Sequence, residues 1–288
     1  MVYRHDLSPF ILDTELFGFD LQVRWYGLAY LFGFFLAYML LRWAARNDRI
    51  PGLNEANYDG LVLAVSLGVI IGGRLGYVVQ VPFFYPDDPL RPFREDPLFP
   101  LKLNQGGMAF FGGLVGVIGA GWLYCRAKNI RFFSLMDYLA PVSLVALGLG
   151  RIANFINGEL WGRPTGADWG VIFPGALPAD VPRHPSTLYE MATHFILAFI
   201  LWLILRAHPS LPRNRPAVIS SLFLIGYGAF RYATEYFREE PFLGDLPITA
   251  AQVASLVIIA LGFLLLHLAL RPGAAEKAPV GPTDAGTA

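Results

Sequence analysis

The sequence predicts an all-α integral membrane protein with seven transmembrane helices, the N-terminus outside and the C-terminus cytoplasmic. Three observations lead there. The 288 residues are 55% hydrophobic and 15% charged, with a mean hydropathy of +0.48, whereas soluble domains carry nearer a quarter charged residues. Apolar runs of about the 20 residues needed to cross a bilayer recur along the whole chain. The arginines and lysines beside those runs are unevenly shared between the two sides.

The first 25 residues carry Arg4, His5, Asp6, Asp13, Glu15 and Asp20. They have no continuous apolar core and no small-residue cleavage site, so no removable signal peptide is expected. Their scattered Phe10, Ile11, Leu16, Phe17 and Phe19 suit a short segment lying at the interface. Spans are expected at 25–45, 59–80, 107–126, 135–154, 188–206, 217–236 and 249–270. The second holds Gly68, Gly72 and Gly76, and the third Gly112, Gly116 and Ala120, ladders that let helix backbones approach closely. The fourth and sixth are the least pure, because Arg151 and Asn154 interrupt one and Arg231 and Glu235 the other. Residues 1–270 are expected to form a single polytopic membrane domain, and the Pro-, Ala- and Gly-rich stretch 271–288 a disordered tail.

Orientation follows from the basic residues. With the N-terminus outside, eleven lie on the inner side, close to helix ends: Arg42, Arg46, Arg49, Arg126, Lys128, Arg131, Arg206, Arg213, Arg215, Arg271 and Lys277. Eight lie on the opposite side, spread over longer segments. The two long loops, about 81–106 and 155–187, then form an outer-face loop domain.

Composition also narrows the chemistry. A formal net charge of zero argues against nucleic acid as a partner. One cysteine, Cys125, leaves neither an intrachain disulfide nor a thiolate metal cluster, and inert packing is its expected role. The lysines, Lys102, Lys128 and Lys277, all lie outside the apolar runs, which excludes a buried Schiff base. No Gly-rich phosphate loop and no metal-ligand spacing is present, so no metal or other cofactor is expected.

The informative residues are the charges inside apolar runs. An arginine at mid-membrane costs about 2.5–3.5 kcal/mol, yet Arg74, Arg151 and Arg231 fall within or at the edge of spans. Arg151, Asn154 and Gly158 share one helix face, and so do Tyr227, Arg231 and Glu235. Arg231 and Glu235 could simply neutralise each other, but the other guanidinium groups remain to be paired. Intramembrane charges of this kind point to a functional cavity. Arg74 either lines it or reaches from a helix end to the headgroups. Thr187 and Glu190 in "HPSTLYE" stand at capping-box spacing, which explains Glu190 as a helix start without any chemistry. His184 lies just outside that cap, where a loop or a ligand can meet it. His194 and His267 read as hydrogen-bonded packing residues, and Tyr26 as a member of the outer aromatic belt. Guanidinium forks suit phosphate oxygens, most strongly where water is scarce. A phospholipid headgroup therefore fits a polar pocket enclosed by apolar helices.

"GRIANFINGELWGR" at 150–163 resembles the signature of the bacterial prolipoprotein diacylglyceryl transferases. "RWYGLAYL" at 24–31, "GGRLGYV" at 72–78, "HPSTLYE" at 184–190 and "YGAFRYATEYFRE" at 227–239 agree with it in order. The resemblance implies a seven-span enzyme of the bacterial inner membrane, active toward the outer leaflet. It would move the diacylglyceryl group of phosphatidylglycerol to the lipobox cysteine of a prolipoprotein signal peptide, forming a thioether and releasing glycerol 1-phosphate. It also implies catalytic roles for Tyr26, Arg151, Asn154, Glu159, Arg231 and Glu235. Substrate contacts are expected from Arg151, Arg74, Gly162, Tyr227 and His184. In this reading Glu159 and Glu235 orient the two arginines, and His184 is the candidate base. Two positions depart from the family: "GGMAFFGG" at 106–113 puts Phe111 where histidine is usual, and Arg24 stands where histidine is frequent. The rival reading is an anion or lipid transporter with an intramembrane arginine site. No internal repeat of the transporter kind relates 151–163 to 227–239.

Overall fold

A computed structural model describes residues 2–16, 19–85, 88, 90–102 and 107–272. In chain order come β1 (Tyr3–Arg4), β2 (Phe10–Leu16), β3 (Phe19–Arg24), α1 (Trp25–Arg46), α2 (Tyr58–Phe84), α3 (Arg91–Glu95), a turn of 3-10 helix (Phe99–Leu101), α4 (Phe110–Ala127) and α5 (Phe132–Ile156). They are followed by β4 (Val171–Ile172), α6 (Ser186–Ala207), α7 (Leu211–Asn214), α8 (Val218–Glu235), β5 (Phe242–Leu243), β6 (Leu246–Thr249) and α9 (Ala250–Leu270). The chain is mostly helical. Among the described residues six helices are long and apolar enough to cross a membrane: α1, α2, α4, α5, α6 and α9. The seventh expected span forms α8, 18 residues long, which is not among those six. The expected tail, from residue 273 on, lies outside the described residues.

The N-terminal segment is not merely an interfacial run. β2 and β3 pair antiparallel as a hairpin, with Asp13 opposite Gln22 and Glu15 opposite Asp20. β3 runs directly into α1. β1 pairs in parallel with β4, and the buried His5 beside it places Nε2 2.7 Å from the Phe155 carbonyl oxygen. The N-terminus is thereby tied to the segment that follows α5, over a small core of Val171, Phe173 and Ala176.

The contacts divide the chain into two compact units: residues up to Leu40 together with those from Phe133, and Leu41–Phe132. In the first, Ala140 and Leu144 of α5, Leu197, Ala198 and Leu201 of α6, and Ile219 of α8 form a buried cluster. Asp137 of α5 caps α8 from a neighbouring helix, accepting from Ala217 N at 2.9 Å, Ser220 N at 2.8 Å and Ser220 Oγ at 2.6 Å. These bonds satisfy helix-end donors that otherwise have no partner and hold Ala217 at φ +76°.

In the second unit α2 packs on α4 along the two glycine ladders. A Cβ on Gly72 would stand 2.7 Å from Gly116 Cα, and one on Gly116 2.9 Å from Gly72 Cα. Backbones this close leave no room for a side chain on either helix. Gly119 on the same helix has open space around its Cβ position. Gly116→Leu is therefore expected to cost at least the ~1–3 kcal/mol typical of overpacking and to lower the thermal midpoint in detergent. Gly119→Ala should leave that midpoint unaltered or raise it, and equal effects of the two substitutions would contradict the packing described.

Candidate active site

The last turn of α5 and the loop after it carry the first part of the site. Arg151 Nη1 donates to Asn154 Oδ1 at 3.2 Å, and Asn154 Nδ2 donates to Glu159 Oε1 at 2.7 Å. Asn157 Nδ2 reaches the same Glu159 oxygen at 3.2 Å. Glu159 thus orients Asn154 rather than an arginine, which corrects the role expected for it.

The arginine's carboxylate comes from α6. Glu190 Oε2 lies 2.8 Å from Arg151 Nε, off the line of a straight hydrogen bond, while its Oε1 accepts from Arg238 Nη1 at 2.9 Å. Arg231 Nη1 lies 3.9 Å from the same Oε1. The capping-box reading of Glu190 is overturned: α6 begins at Ser186, and no side chain caps its first turn. Thr187 therefore sits inside the helix, and Glu190 is free to serve as a buried counter-ion for three guanidinium groups.

Glu235 is the second anion. It pairs with Arg231 one helical turn earlier, as expected, and lies 3.7 Å from Arg238 Nε. Its Oε1 accepts from Thr249 Oγ1 at 2.7 Å, and that hydroxyl in turn accepts from Gln252 N at 3.2 Å as the N-cap of α9. Arg238 Nη2 also donates to the half-exposed Glu240 at 2.7 Å. Burial works to lower the Arg238 pKa, but Glu240 and Glu190 outweigh it and hold the group above its ordinary value. Arg151, Arg231 and Arg238 outnumber the buried Glu190 and Glu235 by one charge. Both carboxylates are 1% exposed, while the Arg151 and Arg231 side chains are 22% and 16% exposed. The two arginine side chains therefore keep exposed surface that their carboxylates lack.

Beside this cluster opens a cleft of about 700 Å³, lined chiefly by Gln22 and Arg24 of β3, Tyr26 of α1, and Asn154, Asn157 and Glu159. That volume lies within the usual range for small-molecule sites. The Tyr26 hydroxyl accepts from Tyr30 at 3.1 Å. An apolar pocket of about 270 Å³ also lies between α1 and α5, formed by Trp25, Leu28, Phe32, Leu149, Ile152 and Ile156 among others. The amide-rich cleft offers hydrogen bonds to a polar head, and the apolar pocket suits hydrocarbon.

The remaining expected residues make contacts of their own within the protein. Tyr227 stacks between His194, at 5.6 Å, and Phe223, at 5.8 Å. Gly162 is a backbone position: its N–H donates to the His184 carbonyl at 2.9 Å, and a Cβ there would meet His184 Cβ at 2.8 Å. His184 Nδ1 lies 3.1 Å from the Tyr189 hydroxyl, which also accepts from Trp169 Nε1 at 2.8 Å. This contact orients the His184 imidazole through Nδ1. Arg74, in the other unit, is buried and donates to the carbonyls of Pro100 at 2.9 Å, Gly107 at 3.2 Å and Phe99. It holds its own loop instead of presenting an open fork. Phe111 is exposed on α4. Sequence reasoning missed Arg238 and Thr249. Arg238 follows Arg231 by seven residues, a same-face spacing that was available as a signal.

The sequence is similar to known proteins along most of its length. The family model described as prolipoprotein diacylglyceryl transferase matches residues 14–268. The chain is 44% identical to a protein of Cupriavidus necator over 90% of its length and 94% of the relative's. It is 43% identical to one of Pseudoalteromonas atlantica, over 90% of both chains. A relative from Xanthomonas euvesicatoria is 38% identical over 99% and 98%. All three are named phosphatidylglycerol–prolipoprotein diacylglyceryl transferase. The site belongs to a family of membrane transferases. The chain is a member of the prolipoprotein diacylglyceryl transferase family.

Two outcomes follow from the geometry. Removing one partner of a buried ion pair typically costs about 3–5 kcal/mol, so Glu190→Gln is expected to lower the thermal midpoint more than Glu159→Gln, whose partners are amides. Burial holds the His184 pKa below its ordinary 6.5. With the folded pKa below the unfolded one, the unfolded chain protonates first as pH falls, so this group costs stability below about pH 6.5 and none above it. The midpoint of His184→Gln relative to the parent should therefore rise between pH 7.5 and pH 5.5. A difference constant over that range would contradict the burial argument.

Proposed function

We propose that this protein transfers the diacylglyceryl group of phosphatidylglycerol to the lipobox cysteine of prolipoprotein signal peptides, the first step of bacterial lipoprotein maturation. One observation carries the reading. Arg151 and Arg231, from different helices, converge on the single buried carboxylate Glu190 while staying partly open to a ligand. Family membership supports the same reading, and nothing comparable favours an anion transporter.

The substrate thiolate attacks the glycerol carbon that bears the phosphate. A C–S bond forms, the C–O bond breaks, and glycerol 1-phosphate departs with the electron pair. Charge leaves sulfur and gathers on the phosphate, where Arg151 and Arg231 stabilise it. A thiol of ordinary pKa about 8.5 is lowered near guanidinium groups, which provides thiolate without a histidine at Phe111. Asn154 and Tyr26 bind the headgroup. Glu235 orients Arg231, and Glu159 orients Asn154. Gly162 keeps the loop backbone in place, Tyr227 packs beside the arginine, and Arg74 steadies the loop after α2.

In this reading α8 is a seventh span, the N-terminus faces outward and the C-terminus inward, as the basic residues favour. Residues 1–270 act as one catalytic domain in the bacterial inner membrane, with the site toward the outer leaflet.

The test is release of glycerol phosphate from phosphatidylglycerol micelles, run with a lipobox peptide and with the same peptide carrying serine for cysteine. Release only with the cysteine peptide is expected. Arg151→Lys and Arg231→Lys should each lose about 10²–10³-fold in turnover, the range seen when one stabilising donor is removed, while remaining membrane-inserted. Full activity in both variants would rule out the phosphate clamp.

A further inference from the structure

We propose that Arg24 sets headgroup selectivity, excluding phospholipids whose head carries an ammonium group and admitting those with a neutral polyol. The inference rests on the transferase reading and concerns the same site.

Arg24 is the last residue of β3, and its guanidinium lies over the Phe10 ring at 5.0 Å. Among the described residues its side chain makes no hydrogen bond or ion pair, yet it lines the polar cleft. Glu159 lines the same cleft. Both amides that reach Glu159 use Oε1, and Oε2 has no partner among the described residues. Among the described residues, therefore, a cation without an ion pair and a carboxylate with an open oxygen face a shared space.

Asn154 connects that space to the arginine cluster, accepting from Arg151 and donating to Glu159. A phosphodiester held at Arg151 and Arg231 places whatever lies beyond its phosphate into the cleft. Phosphatidylglycerol and phosphatidylethanolamine carry the same phosphate, so the two arginines cannot tell them apart. Discrimination has to come from the group beyond it, a neutral diol in one lipid and an ammonium in the other. Glu159 alone would select the wrong lipid, because a carboxylate attracts an ammonium more strongly than a hydroxyl. Arg24 reverses that preference. Its charge repels an ammonium, and its N–H donors suit hydroxyl oxygens, while Glu159 and the amides accept from hydroxyl groups. Specificity of this kind depends on a repulsive element as much as on an attractive one.

The experiment uses the full-length protein in non-ionic detergent micelles with phosphatidylglycerol as substrate and phosphatidylethanolamine as competitor. The quantity read is the ratio of the phosphatidylglycerol KM to the phosphatidylethanolamine inhibition constant. Arg24→Gln is expected to raise that ratio about tenfold in favour of the ammonium lipid. Arg24→Glu should raise it further, and Arg24→Lys should keep the parent ratio. If Arg24 merely adds a phosphate contact, both lipids weaken together and the ratio stays put, which overturns the proposal; so does a ratio unaltered in every variant. Displacement of a fluorescent phosphatidylglycerol by phosphatidylethanolamine reads the same selectivity from binding alone. A parent that binds both lipids selectively but releases no glycerol phosphate refutes the transferase reading and leaves the Arg24 result to stand or fall by its own ratio.

Discussion

The site depends on Glu190. A carboxylate 1% exposed within a helix of an apolar bundle carries a desolvation cost of several kcal/mol, and only close, multiple pairing offsets it. Glu190 obtains that pairing from Arg151 at the end of α5, from Arg238 just past α8 and, at longer range, from Arg231 within α8. The constraint works in both directions. Three guanidinium groups brought this close would repel one another without an anion between them. The same contact that makes the buried carboxylate tolerable also fixes where the three arginines meet.

Glu235 completes the arrangement from the other side. Its link to Thr249 ties the arginine cluster to the N-cap of α9, so one hydroxyl serves both a helix end and the site. Arg238 is then enclosed by Glu190, Glu235 and Glu240, whereas Arg151 and Arg231 each keep exposed surface. The structure thus separates an arginine that organises the cluster from two that face a ligand. That division is invisible in composition, where all three are simply arginines near helix ends.

What the sequence revealed follows the range of the interactions involved. Helices α1, α2, α4, α5, α6 and α9 were legible because bilayer thickness demands a long apolar run; the glycine ladders marked close-packing faces on α2 and α4, and the structure pairs those two faces with each other. The hairpin was overlooked although "FDLQVR" at 19–24 alternates apolar and polar residues as a strand does; a search for 20-residue runs does not register a six-residue period of two. Glu190 was misread because a local rule, the Thr187–Glu190 spacing, was satisfied while its real partners lie 39, 41 and 48 residues away. Glu159 shows the same limit. The reading that followed from the family resemblance gave it an arginine to orient, but its reach from the loop is to Asn154 and Asn157. Sequence patterns located the polar residues of the site; which anion serves which cation is set by how helix ends converge.

That convergence also suits the proposed chemistry. The reacting pair, a thiolate and a phosphodiester, carries two negative charges before the step and two after it. The total does not change; its location does, since both charges end on the departing phosphate. A site for such a reaction needs no further charge during turnover, only a positive surplus already fixed where the phosphate lies. Arginines held by buried carboxylates meet that need, because their positions are set before substrate arrives and little reorganisation accompanies the transfer. A cluster with no internal anion could not be assembled. Glu240 at the half-exposed edge offsets Arg238, so the positive surplus a phosphate meets is local: the exposed sides of Arg151 and Arg231, whose carboxylates are buried behind them.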